Sequence, residues 1–490
     1  MKRKISSIVV VAVAGLIFGS LFAQQPGESG ALGSRLDQAS VESMSVSQAA
    51  AEGQRIFTTP FNKLDGYGDG PIDPADTISP GGRPTLQGNG TLLRINGMDA
   101  QACFECHTLV SNATIPAMLG IGGAGGTNAN AIFQPSNIDP ADLDLDGTAT
   151  FTGRFINPPF VFGVGGVELV GLEMTADLQA LKQLAIDNPF APVELHTKGV
   201  QFGTIVADGL GNVDTSGVEG VSDDLVIRPF GRKGDNATTR DFDTGAMMFH
   251  FGMQPTEVVG DGIDGDGDGV VDEITVGELS ALGVFLATLA APQQARVSGA
   301  AVDGESLFST LGCDACHIPF LDTNSRNLPL RFPQVPTDPW VNTYKLIDLT
   351  KKPAALKTNA NGGVRVPMFA DLKRHDMGPG LAEDFALADA QANAEYTTAK
   401  LWGVVDSGPW LHDGRALTIS DAILLHGGEA QAARDAFAVL TDAEKVSVLA
   451  FLRTLQTPKP NNGGGGDNRP RSLRPTGRTD TSNRQTLSQR

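Results

Sequence analysis

All four cysteines of the chain lie in two short stretches, Cys103-Phe104-Glu105-Cys106-His107 and Cys313-Asp314-Ala315-Cys316-His317. Both read C-x-x-C-H. Two thiols at that spacing add to the two vinyl groups of one haem, and the imidazole that follows is held under the iron as its proximal ligand. Disulfides are the ordinary use of cysteine in an exported chain, and a C-x-x-C pair also suits zinc. Neither use needs a histidine directly after each pair, and zinc needs two more ligands close by. The sequence therefore predicts two covalent c-type haems. Cys103, Cys106 and His107 hold one, and Cys313, Cys316 and His317 hold the other.

The elements that must position these motifs occur twice. Gly53-Gln-Arg-Ile-Phe57 precedes the first motif and Gly304-Glu-Ser-Leu-Phe308 the second. Downstream, the stripe Leu282, Phe285, Leu286, Leu289 with Pro292 is matched by Val448, Phe451, Leu452, Leu455 with Pro458, an apolar helical face stopped by proline in each case. Leading helix, haem motif and closing helix is the order found in cytochrome c domains. The expectation is a mainly α protein of two cytochrome c-like domains, at 45–295 and 296–458. The first is enlarged by long insertions, from Thr58 to Ala102 and from Thr108 to about Arg240, which read as loops and short strands.

Three further stretches narrow the field: Gly312-Cys-Asp-Ala-Cys-His-Ile-Pro319, Met368 to Ala382, and Leu401 to Ala416 running on to His426-Gly-Gly-Glu-Ala430. Together they resemble the dihaem oxidoreductase family, a branch of the superfamily of bacterial dihaem cytochrome c peroxidases. The family is also similar to dihaem enzymes that oxidise protein tryptophans and to dihaem latex-cleaving oxygenases. The likeness is strong over 296–458. Over 45–295 it is weaker, carried by Cys103 to His107, Phe230-Gly231-Arg232-Lys233-Gly234 and Phe249-His250-Phe-Gly-Met-Gln254. The resemblance implies a division of labour in which one haem takes and stores electrons and the other meets peroxide or a substrate.

A storage haem is normally six-coordinate, so it needs a second axial His or Met. Between His317 and the closing helix the candidates are Met368, His375, Met377, His412 and His426. Leu417 to His426 reads as a capped amphipathic helix ended by Gly427, which would present His426 rigidly. In the peroxidases an axial residue follows a similar element, and matching that pattern puts His426 over the second iron, with Met377 next. His375 and His412 each sit near an aspartate and also read as hydrogen-bonded turn residues. Arg415 is a candidate partner for a haem propionate. His250 holds the place before the first closing helix that His426 holds before the second, so it belongs over the first iron, with Met253 and His196 as alternatives. In related peroxidases a Gln and a Glu of the distal pocket move the protons of peroxide. The resemblance implies that role for Gln254 and Glu257, against a plain polar loop. The peroxidases also place a tryptophan between the haems in the first domain. Here Trp340, Trp402 and Trp410 all follow the second motif, so such a bridge is missing or comes from Trp410.

Asp142-Leu-Asp144-Leu-Asp146-Gly147 and Asp264-Gly-Asp266-Gly-Asp268-Gly269 have the alternating carboxylates and glycine turn of a calcium loop, without the glutamate of a full EF-hand at the twelfth position. Asp264, Asp266 and Asp268, helped by Asp272 and Glu273, are the stronger candidate calcium ligands.

Composition closes off other classes. The 490 residues carry a net charge of −19, 19% charged side chains, 41% hydrophobic ones and 59 glycines, the balance of a loop-rich globular chain. An acidic body repels phosphate backbones, so no nucleic-acid partner is expected. Lys2-Arg3-Lys4, the apolar run Ile8 to Phe22 and Ala23 read as a secretory signal, too short to span a bilayer. The expected product is exported or periplasmic, without stable membrane insertion, and takes electrons from a donor such as a small cytochrome or cupredoxin. After Pro458 the chain reads as a flexible Gly/Arg-rich tail. The leading expectation is a peroxidase-like dihaem oxidoreductase. Its alternative is a pure electron-transfer dihaem cytochrome. A hydrolase built on Asp406-Ser407-Gly408 lacks a second such triplet.

Overall fold

The computed structural model describes residues 28–70, 100–107, 132–138, 151–383 and 390–458. The signal-like leader, the acidic loop at 142–147, much of the first insertion and the tail lie outside the described residues. Within them the chain is mixed helix and sheet, with more strand than the mainly α expectation.

The duplication is physical. Helix Val46–Thr58, opened by a reciprocal Ser45–Gln48 cap, packs on helix Val276–Thr288. Helix Ala300–Thr310 packs in the same way on Asp442–Leu452. Both closing helices start with a threonine and glutamate capping box, Thr275 with Glu278 and Thr441 with Glu444, which satisfies two otherwise unpaired N–H groups. Contact at each crossing depends on a glycine. A Cβ at Gly53 would fall 2.7 Å from the Ala281 carbonyl carbon, and one at Gly304 would fall 2.5 Å from that of Ser447. One turn on, Phe57 meets Phe285 with ring centroids 5.4 Å apart at 58°, and Phe308 meets Phe451 at 5.3 Å and 57°. The repeat extends to the turns that follow. An isolated bridge joins Phe230 to Asn236 and another joins Trp410 to Ala416. Capping boxes Thr238–Asp241 and Thr418–Asp421 then start helices Thr239–Ala246 and Ile419–Leu424.

The second insertion is not loops and short strands alone. It contains a 24-residue helix, Val164–Asp187, built largely of good helix formers and buried on nearly every side through its first half. Two buried carboxylates make it a beam. Glu168 accepts from the N–H and hydroxyl of Thr239 at 3.0 and 2.9 Å, fixing the start of helix Thr239–Ala246. Glu173 accepts from Lys198 Nζ at 2.6 Å and from the backbone of Asn324 and Ser325. A three-stranded antiparallel sheet of Pro192–Thr197, Val200–Ala207 and Val213–Asp214 lies against it.

The buried apolar side chains form two clusters. The larger runs from Leu32 to Trp402 and includes Leu321, Leu328, Leu330, Ile347, Val364, Val366 and Met368. These residues follow the second haem motif and belong by sequence with the second unit, yet they pack with the first. Strand Thr343–Asp348, paired with Asn327–Arg331, brings Tyr344 against the first closing helix, where its hydroxyl donates to the Ser280 carbonyl at 3.1 Å. The smaller cluster joins Ala301, Phe308, Phe369, Val404, Phe437, Val448, Phe451, Leu452 and Leu455.

Candidate functional site

Each C-x-x-C-H stretch folds into a short 3-10 turn, Cys103–Glu105 and Cys313–Ala315, in which the histidine N–H donates to the first cysteine's carbonyl at 3.0 Å. All four thiols are free of disulfides and partly accessible. The two proximal candidates are oriented alike. His107 Nδ1 donates to the Pro159 carbonyl at 2.7 Å, and His317 Nδ1 donates to the Phe369 carbonyl at 3.1 Å. A carbonyl can only accept, so these bonds set the Nδ1–H tautomer and leave Nε2 with its lone pair, the arrangement a metal-binding imidazole needs. Burial, with a neighbouring histidine's charge, pushes both side chains down to about 4, so both are neutral near pH 7. Phe369 has a left-handed backbone, φ 55°, and its carbonyl serves His317 from that turn.

His426 lies opposite His317, the two ring centroids 6.5 Å apart. It is oriented by the same device, Nδ1 donating to the Ala422 carbonyl at 2.7 Å, and burial lowers its pKa. Two imidazoles that grip one metal from opposite sides at about 2 Å each have centroids roughly 6 Å apart. The helix that carries it is shorter than the sequence pattern implies: it covers Ile419–Leu424, and Gly427 is extended rather than left-handed.

The competing ligands are otherwise engaged. His375 uses both ring nitrogens, Nε2 to Asp371 at 2.8 Å and Nδ1 to Glu429 at 2.7 Å, with Cys316 Sγ 3.9 Å away. Burial opposes its charge, but these bonds prevail and raise it to about 11, so it is an imidazolium clamp beside the motif. Met368 is fully buried in the larger cluster. His412 stacks on Tyr396 at 4.6 Å, its Nε2 3.3 Å from the Tyr396 hydroxyl. Met377 contributes its backbone, N–H to the Ala394 carbonyl. Arg415 donates to Asp413 and, at 3.0 Å, to the Gly380 carbonyl.

Around the first motif, Phe242 sets its edge toward the His107 ring, centroids 6.2 Å apart. His250 stands on a π turn, Met247–Phe251. Wider π turns of this kind often re-aim a side chain at a functional site. Met253 is fully buried in the core and His196 is exposed on the three-stranded sheet, so neither is placed as a ligand. The two residues expected to shuttle protons are engaged elsewhere. Glu257 is clamped by Arg240 and by the Thr244 hydroxyl, the latter at 2.7 Å. Gln254 is 3% exposed, and its side-chain oxygen points to the acidic loop at Asp264–Asp268.

A strap joins the first motif to the Pro409–His412 segment of the second unit. Pro159, which accepts from His107, lies two residues after Asn157. Asn157 Nδ2 donates to the Pro409 and Leu411 carbonyls at 2.7 and 2.8 Å, and its N–H donates to His412 at 2.8 Å. Trp410 sits inside that clasp, its Nε1 bonded to the Val404 carbonyl at 2.8 Å. Trp402 is buried against Gly163 and Trp340 is exposed.

Residues 343–455, which contain His375, His412, Trp410 and His426, match the family model described as "Di-haem oxidoreductase, putative peroxidase". Over these residues the chain is similar to the di-haem oxidoreductases. The dihaem oxidoreductase resemblance is thus borne out, and haem is the cofactor that the family brings. Among curated proteins none matches the chain. Two solved structures are similar to it. The hydrazine synthase of Kuenenia stuttgartiensis, pressurised with xenon, is 15% identical, with 93% of this chain and 100% of that one covered and a TM-score of 0.36. A MauG-like protein associated with microbial copper homeostasis is 12% identical, with 58% and 89% covered and a TM-score of 0.27.

The donor set present here fits the haem that this similarity implies. Four thiols outside any disulfide lie in two turns, and each turn ends in a neutral histidine whose outer nitrogen is tied to a backbone carbonyl. Sequence reasoning missed Pro159 and Phe369, because a carbonyl acceptor has no side-chain signature. It also missed Glu429 as the second partner of His375, 54 residues away.

Proposed function

We infer that the chain is an exported dihaem c-type oxidoreductase that accepts electrons at its C-terminal haem and reduces peroxide, or oxidises a substrate, at its N-terminal haem. One observation carries this reading: His317 and His426 stand 6.5 Å apart, each with Nδ1 tied to a carbonyl, an arrangement suited to a closed, six-coordinate storage site. Cys313 and Cys316 would attach that haem, and Cys103, Cys106 and His107 would hold the other. Bound haem iron supplies the one-electron and peroxide chemistry. The chain's own residues do the rest. Asp371 and Glu429 keep His375 charged beside the second motif, and the Asn157–Pro159 strap ties the first motif to the segment that carries Trp410. His250, on its π turn, would serve the reactive side of the first haem. With Glu257 and Gln254 engaged elsewhere, it inherits the distal role. The acidic surface favours a basic electron donor such as a small cytochrome.

The second reading, a dihaem electron-transfer cytochrome, is favoured by the matching places of His250 and His426 ahead of the two closing helices, which would let both irons be six-coordinate. Visible and EPR spectra of the haem-loaded protein separate the two, recorded fully oxidised and half-reduced, with and without hydrogen peroxide. The enzyme reading expects one low-spin centre and one high-spin ferric centre that reacts with peroxide. Two low-spin centres that ignore peroxide in both redox states would overturn it.

A further inference from the structure

The carboxylates of Asp264, Asp266 and Asp268 converge, one oxygen from each lying within 4.8 Å of the others. A buried group from outside this loop points into it. Gln254 is 3% exposed and its Oε1 has no hydrogen-bond partner. That oxygen rests against Gly265, between the first two aspartates, so closely that a Cβ there would collide with it; even the amide carbon would lie 3.2 Å from such a Cβ. A buried carbonyl without a partner is unfavourable, and so is the mutual repulsion of three converging carboxylates. One cation removes both costs. Glu273, 2% exposed, closes the other side, its Oε2 accepting from the Gln254 N–H at 2.8 Å.

We propose that Asp264, Asp266, Asp268 and the side-chain carbonyl of Gln254 bind one calcium ion, with Glu273 beside it. The donors are all hard oxygens, with no nitrogen or sulfur, and they come from a glycine-rich loop able to wrap a large ion with seven or so ligands rather than a strict octahedron. The ion would join three segments. Asp266 Oδ2 accepts from the Gly70 N–H at 2.8 Å, reaching the chain that leaves the first leading helix. Gln254 lies four residues after His250, and between them Gly252 presses on the backbone of Gly68 and Asp69. Calcium would thereby fix the segment that carries His250. Gln254 is then an ion ligand rather than a proton shuttle. The proposal does not rest on haem attachment or on any turnover.

Calcium chloride titrated by calorimetry into the EGTA-treated full-length protein tests it. Wild type is expected to take up an ion whose affinity falls by about tenfold or more in Gln254→Leu and in Asp266→Asn. It is also expected to show a rise in Tm with calcium that these variants lack. Asp268→Asn, on the loop itself, keeps the test open if Gln254→Leu does not fold. Absence of uptake by wild type, or uptake unchanged in all three variants, would overturn the site. Magnesium chloride binding as tightly as calcium chloride would overturn the choice of ion.

Discussion

Gly304→Ala asks whether the glycine crossing sets how closely the second pair of helices can approach. The added methyl would sit 2.5 Å from the Ser447 carbonyl carbon and 3.0 Å from Phe451 Cβ, where ordinary contact begins at 3.4 Å. The nearest obstacle is backbone, which no rotamer change relieves, so helices Ala300–Thr310 and Asp442–Leu452 must part by about 1 Å. Overpacking of this kind costs about 1–3 kcal/mol, and the upper end applies where backbone meets backbone. Alanine returns about 1 kcal/mol through its better helix propensity, leaving a net loss of about 2 kcal/mol. Phe308, on the next turn, contacts Phe451 and Phe369 and stands 6.4 Å from the His317 ring, so parting the helices also loosens that imidazole. Urea unfolding of wild type, Gly304→Ala, Gly53→Ala and Gly283→Ala measures it. Gly53→Ala should behave like Gly304→Ala. Gly283 is the control: on the first closing helix, its added methyl meets only the Tyr344 hydroxyl, at 3.7 Å, and should be neutral or mildly stabilising. A Gly304→Ala protein as stable as wild type, or a Gly283→Ala protein equally damaged, would refute the reasoning.

His375→Gln should lower Tm by a margin that depends on pH. The folded pKa is raised from 6.5 to about 11, so the stability gained from Asp371 and Glu429 is fully present below about pH 6.5 and is lost as pH rises through about 11. A margin that stays constant or widens toward high pH in parallel melts would contradict the clamp. Glu257→Gln should cost stability, because it weakens the partly buried bond to Arg240, while leaving turnover within about threefold of wild type. A loss of about a hundredfold in kcat with unchanged Tm would restore the proton-transfer role implied by family resemblance.

What the sequence made legible was local or repeated. The C-x-x-C-H turns, the capped helix pairs and the position of His426 follow from short spacings and from comparing one copy with the other. Misreadings came from long-range partners. Glu257 looks like a free acid until Arg240, 17 residues earlier, folds against it. Gln254 looks like a distal amide until the loop ten residues on turns back to it. The helix Val164–Asp187 was hidden because glycine- and proline-rich flanks masked a segment apolar on most of its faces, which leaves little amphipathic signal. His375 was half legible: Asp371 lies four residues away, but Glu429 arrives from the far side of the second unit.

The chain from Leu321 to Trp402 leaves the second motif and builds into the buried cluster of the first. A cut between Thr288 and Ala300 would therefore not release two self-sufficient halves. The second would expose a strip of Leu, Ile and Val, and the first would lose one wall of its interior. The segment that follows the second motif thus forms part of the interior of the first unit. The separation of the two motifs is a property of common side-chain volume, and a volume change in that shared wall would move both sites together.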